Sequence, residues 1–418
     1  MSMPVRTLPV LQNWDCQECT ECCRQYLVAV TPEEKKRIDD QQWSTLPEFQ
    51  GRDQFVNRGS RRRPKHFLAH REDGACVFLG ANNRCRIHEK FGSAAKPLAC
   101  RVYPFMLVPA GDHWRVGLRF ACPSAAENRG RPLSDHLGEL RQYATGLETQ
   151  ESIPADMPPP ALQGKQAVTW NDVILIARAL SRVVGASGES MERKLRKCLA
   201  LAHMCRQSKF DKITGERLEE FLEILTNALD TEVPPAADVP PPTSIGRVLF
   251  RQMLALYVRK DSGKHAGIAK KGRLALLKAA LQFARGSGTV PQVHSLLPDT
   301  TFEKLEEPIG GLPPEADQLL VRYFQIKLES LQFAGKTNFN FTVWDGLESL
   351  VLVYPAVMWL ARAFVPSRGK PEAVRLALRI VDDSFGFHPL LGTSRQKLAL
   401  NILSFRNEIT RLIAWYGR

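Results

Sequence analysis

Eight of the ten cysteines lie within the first 122 residues, and four of them crowd into Cys16, Cys19, Cys22 and Cys23 with the spacing C-x-x-C-x-x-C-C. Thiols at that density constrain any fold, because they must pair, bind metal or be held apart. The opening stretch MSMPVRTLPVLQNWD has no charged n-region, apolar core or small-residue cleavage site of a secretory leader. The expectation is therefore a cytoplasmic chain, in which thiols stay reduced and closely spaced cysteines act as metal ligands. Cys76, Cys85, Cys100 and Cys122 complete the eight.

Soft, anionic sulfur suits both zinc and iron–sulfur clusters, and binding drives off its proton. Eight thiols would fill two four-thiolate sites, or one cluster with several structural or reactive cysteines beside it. The adjacent pair Cys22 and Cys23 is awkward, since neighbouring side chains diverge and share one ion only in a special loop. Cys198 and Cys205 belong elsewhere: they lie seven apart in MERKLRKCLALAHMCRQ, beside Leu195, Leu199 and Ala202, and read as apolar packing on a helix. His66 and His70 in HFLAH could share a helix face, and His88 follows Cys85. No Glu follows the first His as the zinc-protease motif needs, so ordinary polar packing is expected for all three.

The order of patterns predicts an α-rich α+β chain, with a small cysteine-rich metal-binding domain followed by a large all-helical domain. The first spans about 10–130. There Tyr26, Val28 and Val30 alternate like a short strand, as do Trp114, Val116, Leu118 and Phe120, and Thr31-Pro32-Glu33-Glu34 opens a helix to about Asp40. Residues 131–165 read as a helix over Ser134–Leu147 and a linker carrying IPADMPPPA. From 166 to 418, helical periodicity predicts helices over 170–184, 189–207, 215–230, 245–259, 273–285, 315–333, 343–365, 370–384 and 394–416. VPPAADVPPPTS sets an internal break at 233–244.

Lys and Arg number 57 against 44 Asp and Glu, a formal charge of +13 that favours acidic partners. The densest basic run, Arg58, Arg61, Arg62, Arg63 and Lys65, has no nucleic-acid module or aromatic ladder around it. A solvated loop is expected there, and no nucleic-acid partner. Leu347–Val365 is apolar over 19 residues, but Glu348, Pro355 and Arg362 interrupt it. It predicts a buried core helix and no membrane span. ARGSGTV follows a helical segment where a phosphate loop would follow a strand, and neither a Walker loop nor a serine nucleophile elbow is present.

The series CQECTECC, GACVFLGANNRCRIHEKFGSAAKPLACRVYPF and ACP resembles the YkgJ-like CxxCxxCC cysteine-cluster family, whose members are described as zinc- or iron-chelating. The resemblance runs from Cys16 to Pro123. It implies that Cys16, Cys19, Cys22, Cys23, Cys76, Cys85, Cys100 and Cys122 are the ligands. Arg101 and Pro104 share in the motif, and Arg101 would stand near the cluster as a charge partner in cofactor binding. The chain departs from the pattern at His88, where the family often has an aromatic residue, and in the longer FGSAAK before Pro97.

The order of the whole chain, with YFQIKLESLQFAG followed by DGLESLVLVYPAVMWLARAF, is similar to the flagellin lysine N-methylases. That similarity implies a 4Fe–4S cluster, S-adenosylmethionine as methyl donor and a protein substrate with an exposed lysine. The lysine must be deprotonated and the methyl aligned with it; no catalytic residue can be assigned. The spacing also differs from the C-x-x-x-C-x-x-C of radical enzymes that hold this donor on iron. Whether the chain is an enzyme thus stays open, between a lysine N-methyltransferase and a non-catalytic metal-binding or redox-sensing module whose helices engage a partner. The first predicts a pocket between the two domains beside the metal. The second predicts an exposed apolar patch on the helices.

Overall fold

The computed structural model describes the chain except residues 1–2, 7–11, 152, 154–156, 165, 209 and 211–212. Among the described residues the strands are short and confined to the N-terminal part: β1 (Val5–Arg6), β2 (Asn13–Trp14), β3 (Ala29–Val30), β4 (Phe55–Asn57), β5 (His66–Leu68), β6 (Phe105–Ala110), β7 (His113–Leu118) and β8 (Arg131–Pro132). They make three small sheets, ordered β1-β7-β6, β3-β5-β4 and β2-β8. The alternation over 114–120 appears as β7, paired with β6 from Phe105↔Leu118 to Ala110↔His113. Of the strand expected around Tyr26–Val30, only Ala29 and Val30 pair.

The helices of this part are α1 (Glu21–Gln25), α2 (Pro32–Asp39), α3 (Arg86–Phe91), α4 (Leu98–Val102), α5 (Pro123–Ala126) and α6 (Leu137–Glu151). Helix α2 begins as its sequence predicts: the Thr31 side chain accepts from the Glu34 N–H, and the Glu34 carboxylate accepts from the Thr31 N–H. The linker after α6 includes residues 154–156, which lie outside the described residues.

The C-terminal part is helical: α7 (Trp170–Gly185), α8 (Met191–Arg206), α9 (Glu216–Glu232), α10 (Ser244–Val258), α11 (Arg273–Arg285), α12 (Phe302–Glu306), α13 (Pro314–Glu329), α14 (Val343–Val351), α15 (Val353–Arg368), α16 (Lys370–Ser384), α17 (Ser394–Phe405) and α18 (Glu408–Tyr416). Two predicted helices are divided. Pro355 has no N–H to offer the carbonyl four residues back, at Val351, and the run 343–365 breaks at Leu352. Asn407 adopts φ 54 and separates α17 from α18.

Three cores hold these elements together. One unites the helices from Val173 to Tyr416 and takes in Val108, Ala110, Phe120 and Ala126 from the N-terminal part. It continues across residues 233–244, so the proline-rich break there is a loop over a common core. A second core gathers Leu98, Phe105, Trp114, Val116, Leu118, Cys122, Leu140 and Tyr143, which places α6 against the β6–β7 hairpin. The third is built from Ile38, Trp43, Phe49, Leu68, Phe78, Ile87 and their neighbours.

The α14–α15 region is long and apolar enough to cross a membrane, yet 89% of its apolar window is buried inside the fold. It is packed as the expected core helix. The basic run at 58–65 is exposed in the turn between β4 and β5.

The hairpin and the helices meet closely. A Cβ on Gly117 in β7 would lie 1.6 Å from Gln332 Nε2 and 2.6 Å from Ser330 Oγ. Beside it Lys327 and Asp382, 1% and 0% exposed, form an ion pair at 2.8 Å. Lys327 also donates to Leu118 O at 3.1 Å and to Gln332 Oε1 at 2.7 Å, while Asp382 accepts from the Ala121 N–H at 3.0 Å.

Candidate metal centre

The cysteine motif begins as a coiled loop. Glu18 and Thr20 both take left-handed backbone, φ 52 and 63, which curls the chain between Cys16 and α1, where Cys22 and Cys23 sit. Its start is tied down on α5: the Asp15 N–H donates to Arg129 O at 2.9 Å, Ser124 Oγ donates to Asp15 O at 2.6 Å, and Arg131 pairs with the Asp15 carboxylate at 3.0 Å. Cys122 is the residue that caps α5.

Further links bring in the later thiols. Arg84 pairs with Glu18 at 3.1 Å, Leu79 and Cys85 form a β-bridge, and the Cys76 N–H donates to Cys23 O at 2.8 Å. Cys76, Cys85 and Cys100 all pack on the third core, whereas Cys122 is buried in the second. Cys198 and Cys205 are buried in the helical core; burial pushes both thiols up to about 12.

The N-terminal thiols are shifted by burial and by the backbone N–H groups near them. Burial raises Cys19, Cys76, Cys85 and Cys122 above the ordinary thiol range, Cys76 to about 12. Backbone N–H groups two or three residues downstream work against that rise: Glu21 at Cys19, Phe78 at Cys76, His88 and Ile87 at Cys85, Ala125 and Ser124 at Cys122. Such N–H groups aimed at sulfur stabilise thiolate and tune the metal it binds. The Trp14 indole also faces Cys122, and its Nε1, buried, has no hydrogen-bond partner of ordinary geometry. Cys23 is lowered to about 7 by the neighbouring Cys22 thiol, 3.9 Å away, with Lys96 and Arg24 adding to the effect. Among the described residues, no three Cys, His, Asp or Glu side chains close on a common point. Metal binding would remove the thiol protons and draw sulfurs together. By donor type, the set fits zinc or iron.

The remaining expected residues fall as follows. Arg101 lies on α4 beside Cys100, but its charge acts on Tyr143 of α6 and its buried Nε has no partner. The cation that acts on Cys23, Cys85 and Cys100 is Lys96. His66 and His70 share no helix face: His66 is in β5, the middle strand of its sheet, and His70 bridges Cys76 through the backbone. His88 is on α3 and exposed.

The helical part supplies a wall that no sequence signal announces. Lys264 and His265 hold Glu21 at 3.0 and 3.2 Å, keeping its carboxyl at about 2 through the His265 hydrogen bond first. Tyr26 donates to Asp383 at 2.6 Å, and Asp383 also holds Arg119 at 2.9 Å and Lys260. Arg379, one turn earlier on α16, acts on Cys19, and its Nε is buried without a partner. All of these but Lys260–Asp383 join residues more than 200 positions apart.

Two cavities lie away from the thiols. One, of about 280 Å³, is walled by α7, α9 and α13, including Arg178, Ser181 and Glu329. The other, of about 390 Å³, lies between β6, the 157–164 segment and the 331–342 loop, where Trp170, Lys336 and Phe341 face it. No cysteine of the motif lines either one.

Residues 15–125 match the family model CxxCxxCC, "Putative zinc- or iron-chelating domain". No curated protein and no solved structure matches the chain.

Proposed function

We propose that this chain, whose residues 15–125 carry the chelating domain, binds zinc or a 4Fe–4S cluster through its eight N-terminal cysteines and uses its helical half to engage a protein partner. The observation that carries the metal reading is the set of N–H groups facing Cys19, Cys76, Cys85 and Cys122 from four separate turns. Donors of this kind around sulfur are what a thiolate ligand needs to stay ionised. Anaerobic purification, metal analysis and an absorption spectrum test it. Iron with acid-labile sulfide and broad absorbance near roughly 400 nm marks a cluster, stoichiometric zinc in a colourless protein marks zinc, and metal-free protein overturns the reading.

The partner reading is supported by α11. Leu274, Leu277 and Leu281 stand on its outer face, 84%, 59% and 64% exposed, among Lys270, Lys271, Arg273, Lys278 and Arg285. No acidic residue occurs between Asp261 and Asp299. An apolar stripe rimmed by cations suits an acidic, apolar partner surface. Leu277→Asp with Leu281→Asp should leave metal content and helix content unchanged while removing most of the binding of an apolar fluorescent dye. Undiminished dye binding would show that this face is covered.

Methyl transfer from S-adenosylmethionine to a protein lysine is the competing reading. It needs donor and lysine to meet beside the metal, and the two cavities described above lie elsewhere. Transfer of labelled methyl from the donor to a lysine-bearing protein would revive it.

A further inference from the structure

We propose that the cavity of about 390 Å³ between β6, the 157–164 segment and the 331–342 loop is a binding site for a small aromatic carboxylate. Such a site would work with or without metal at the thiols, none of which lines it.

Both walls of the cavity are held apart. Pro158, Pro159 and Pro160 have fixed φ and no N–H, so the first wall can neither coil inward as a helix nor join a sheet. It is pinned at each end: Trp170 Nε1 donates to Met157 O at 2.8 Å, and the Val343 and Trp344 N–H groups donate to Ala161 O and Leu162 O at 2.9 and 3.2 Å. Leu162, fully buried, anchors the same segment in the helical core. The facing loop is equally fixed. Leu331, Phe339 and Asn340 take left-handed backbone, φ 61, 53 and 58, a conformation uncommon outside glycine and kept only where the surroundings impose it. Gly335 helps impose it, accepting from the Asn338 and Asn340 N–H groups at 3.0 and 2.8 Å and donating to Phe341 O at 2.9 Å. A space between two such walls does not close by side-chain relaxation as a packing gap in a core partly does.

The lining defines the ligand class. Trp170, Phe341 and the prolines supply flat apolar surface, which accepts a planar aromatic body. Trp170 is also backed by the β6–β7 turn: a Cβ on Gly111 there would lie 2.9 Å from Trp170 Cδ1, so the hairpin reaches the ring only because that residue is glycine. Among the described residues, Lys336 is the one charged side chain of the lining, and its ammonium has no carboxylate partner. Exposed at the rim, it can take an anionic group while the apolar body lies inward. The volume is that of small-molecule sites, and the position is one where they form, at the meeting of the β6–β7 hairpin, the linker and the helical part.

In a calorimetric titration of the native protein, 2-naphthoate should bind once per chain, about fivefold more tightly than its neutral amide, 2-naphthamide. Lys336→Gln should erase that preference by weakening the carboxylate alone, and Ala161→Phe, which fills the cavity, should remove the binding of both. The basic leucine face of α11 is the other surface that such a probe could reach, so Leu277→Asp with Leu281→Asp should bind as the native protein does. No binding to the native protein, equal affinity for acid and amide, an unchanged preference in Lys336→Gln, undiminished binding in Ala161→Phe, or loss of binding in the α11 variant would each overturn the assignment. Lys336→Gln alters an exposed side chain and decides the matter even if Ala161→Phe fails to fold.

Discussion

Stripping the metal from the native protein should open residues 28–100 to protease while the helical body from 166 onward survives intact. The reason is the small size of the third core. Its buried members are Val30, Ile38, Trp43, Phe49, Leu68, Ala69, Val77, Phe78, Ile87 and Ala95, carried on strands of two or three residues and on short helices. So small a core cannot hold its own loops closed without crosslinks, and a structural thiolate zinc contributes on the order of 10 kcal/mol to such a fold. The helical core is built from α7 to α18 with Val108, Ala110, Phe120 and Ala126, all beyond residue 100, and it contains none of the eight N-terminal cysteines. Limited proteolysis with and without chelator, read by mass spectrometry, measures the effect. Equal protection in both samples would show that the region folds without metal.

Removing one partner of the Lys327–Asp382 pair should lower stability by about 3–5 kcal/mol, because it leaves the other charge buried and uncompensated. Lys327 is the more dangerous survivor. In Asp382→Ala its ammonium would keep Leu118 O and Gln332 Oε1 but lose the anion, at a site where burial already depresses its pKa. Lys327→Met alone strands Asp382, which retains the Ala121 N–H. Combining Lys327→Met with Asp382→Leu should recover most of the loss, since apolar groups of similar volume make no such demand. Thermal and denaturant unfolding of the three variants read the cycle. If either single variant unfolds like the native protein, water reaches the pair and the interface is looser than described.

The helices were legible because their apolar residues recur over long windows: α7 to α11, α13 and α16 lie within a few residues of the predicted spans. The splits at Leu352 and Asn407 turn on single residues that a periodicity average passes over. Strands of two or three residues are too short to show alternation, so the β3-β5-β4 sheet was only hinted at, and HFLAH suited a helix as well as the strand it forms. The ligand candidates were visible from chemistry alone. Where each one packs was not, because it depends on which core each turn rests against. The part played by Asp383 was hidden for a simpler reason: the hydrogen bond between Tyr26 and Asp383 of α16 spans 357 positions of sequence and leaves no local trace.

Helix α1 is five residues long, yet it is gripped at both ends by the helical half. Glu21 before the cysteine pair is held by Lys264 and His265, and Tyr26 after it by Asp383. A rotation of this short segment cannot be absorbed by solvent. The segment that carries Cys22 and Cys23 is thus fixed to the 260–265 loop and to the end of α16, and that loop leads within ten residues to the exposed leucines of α11.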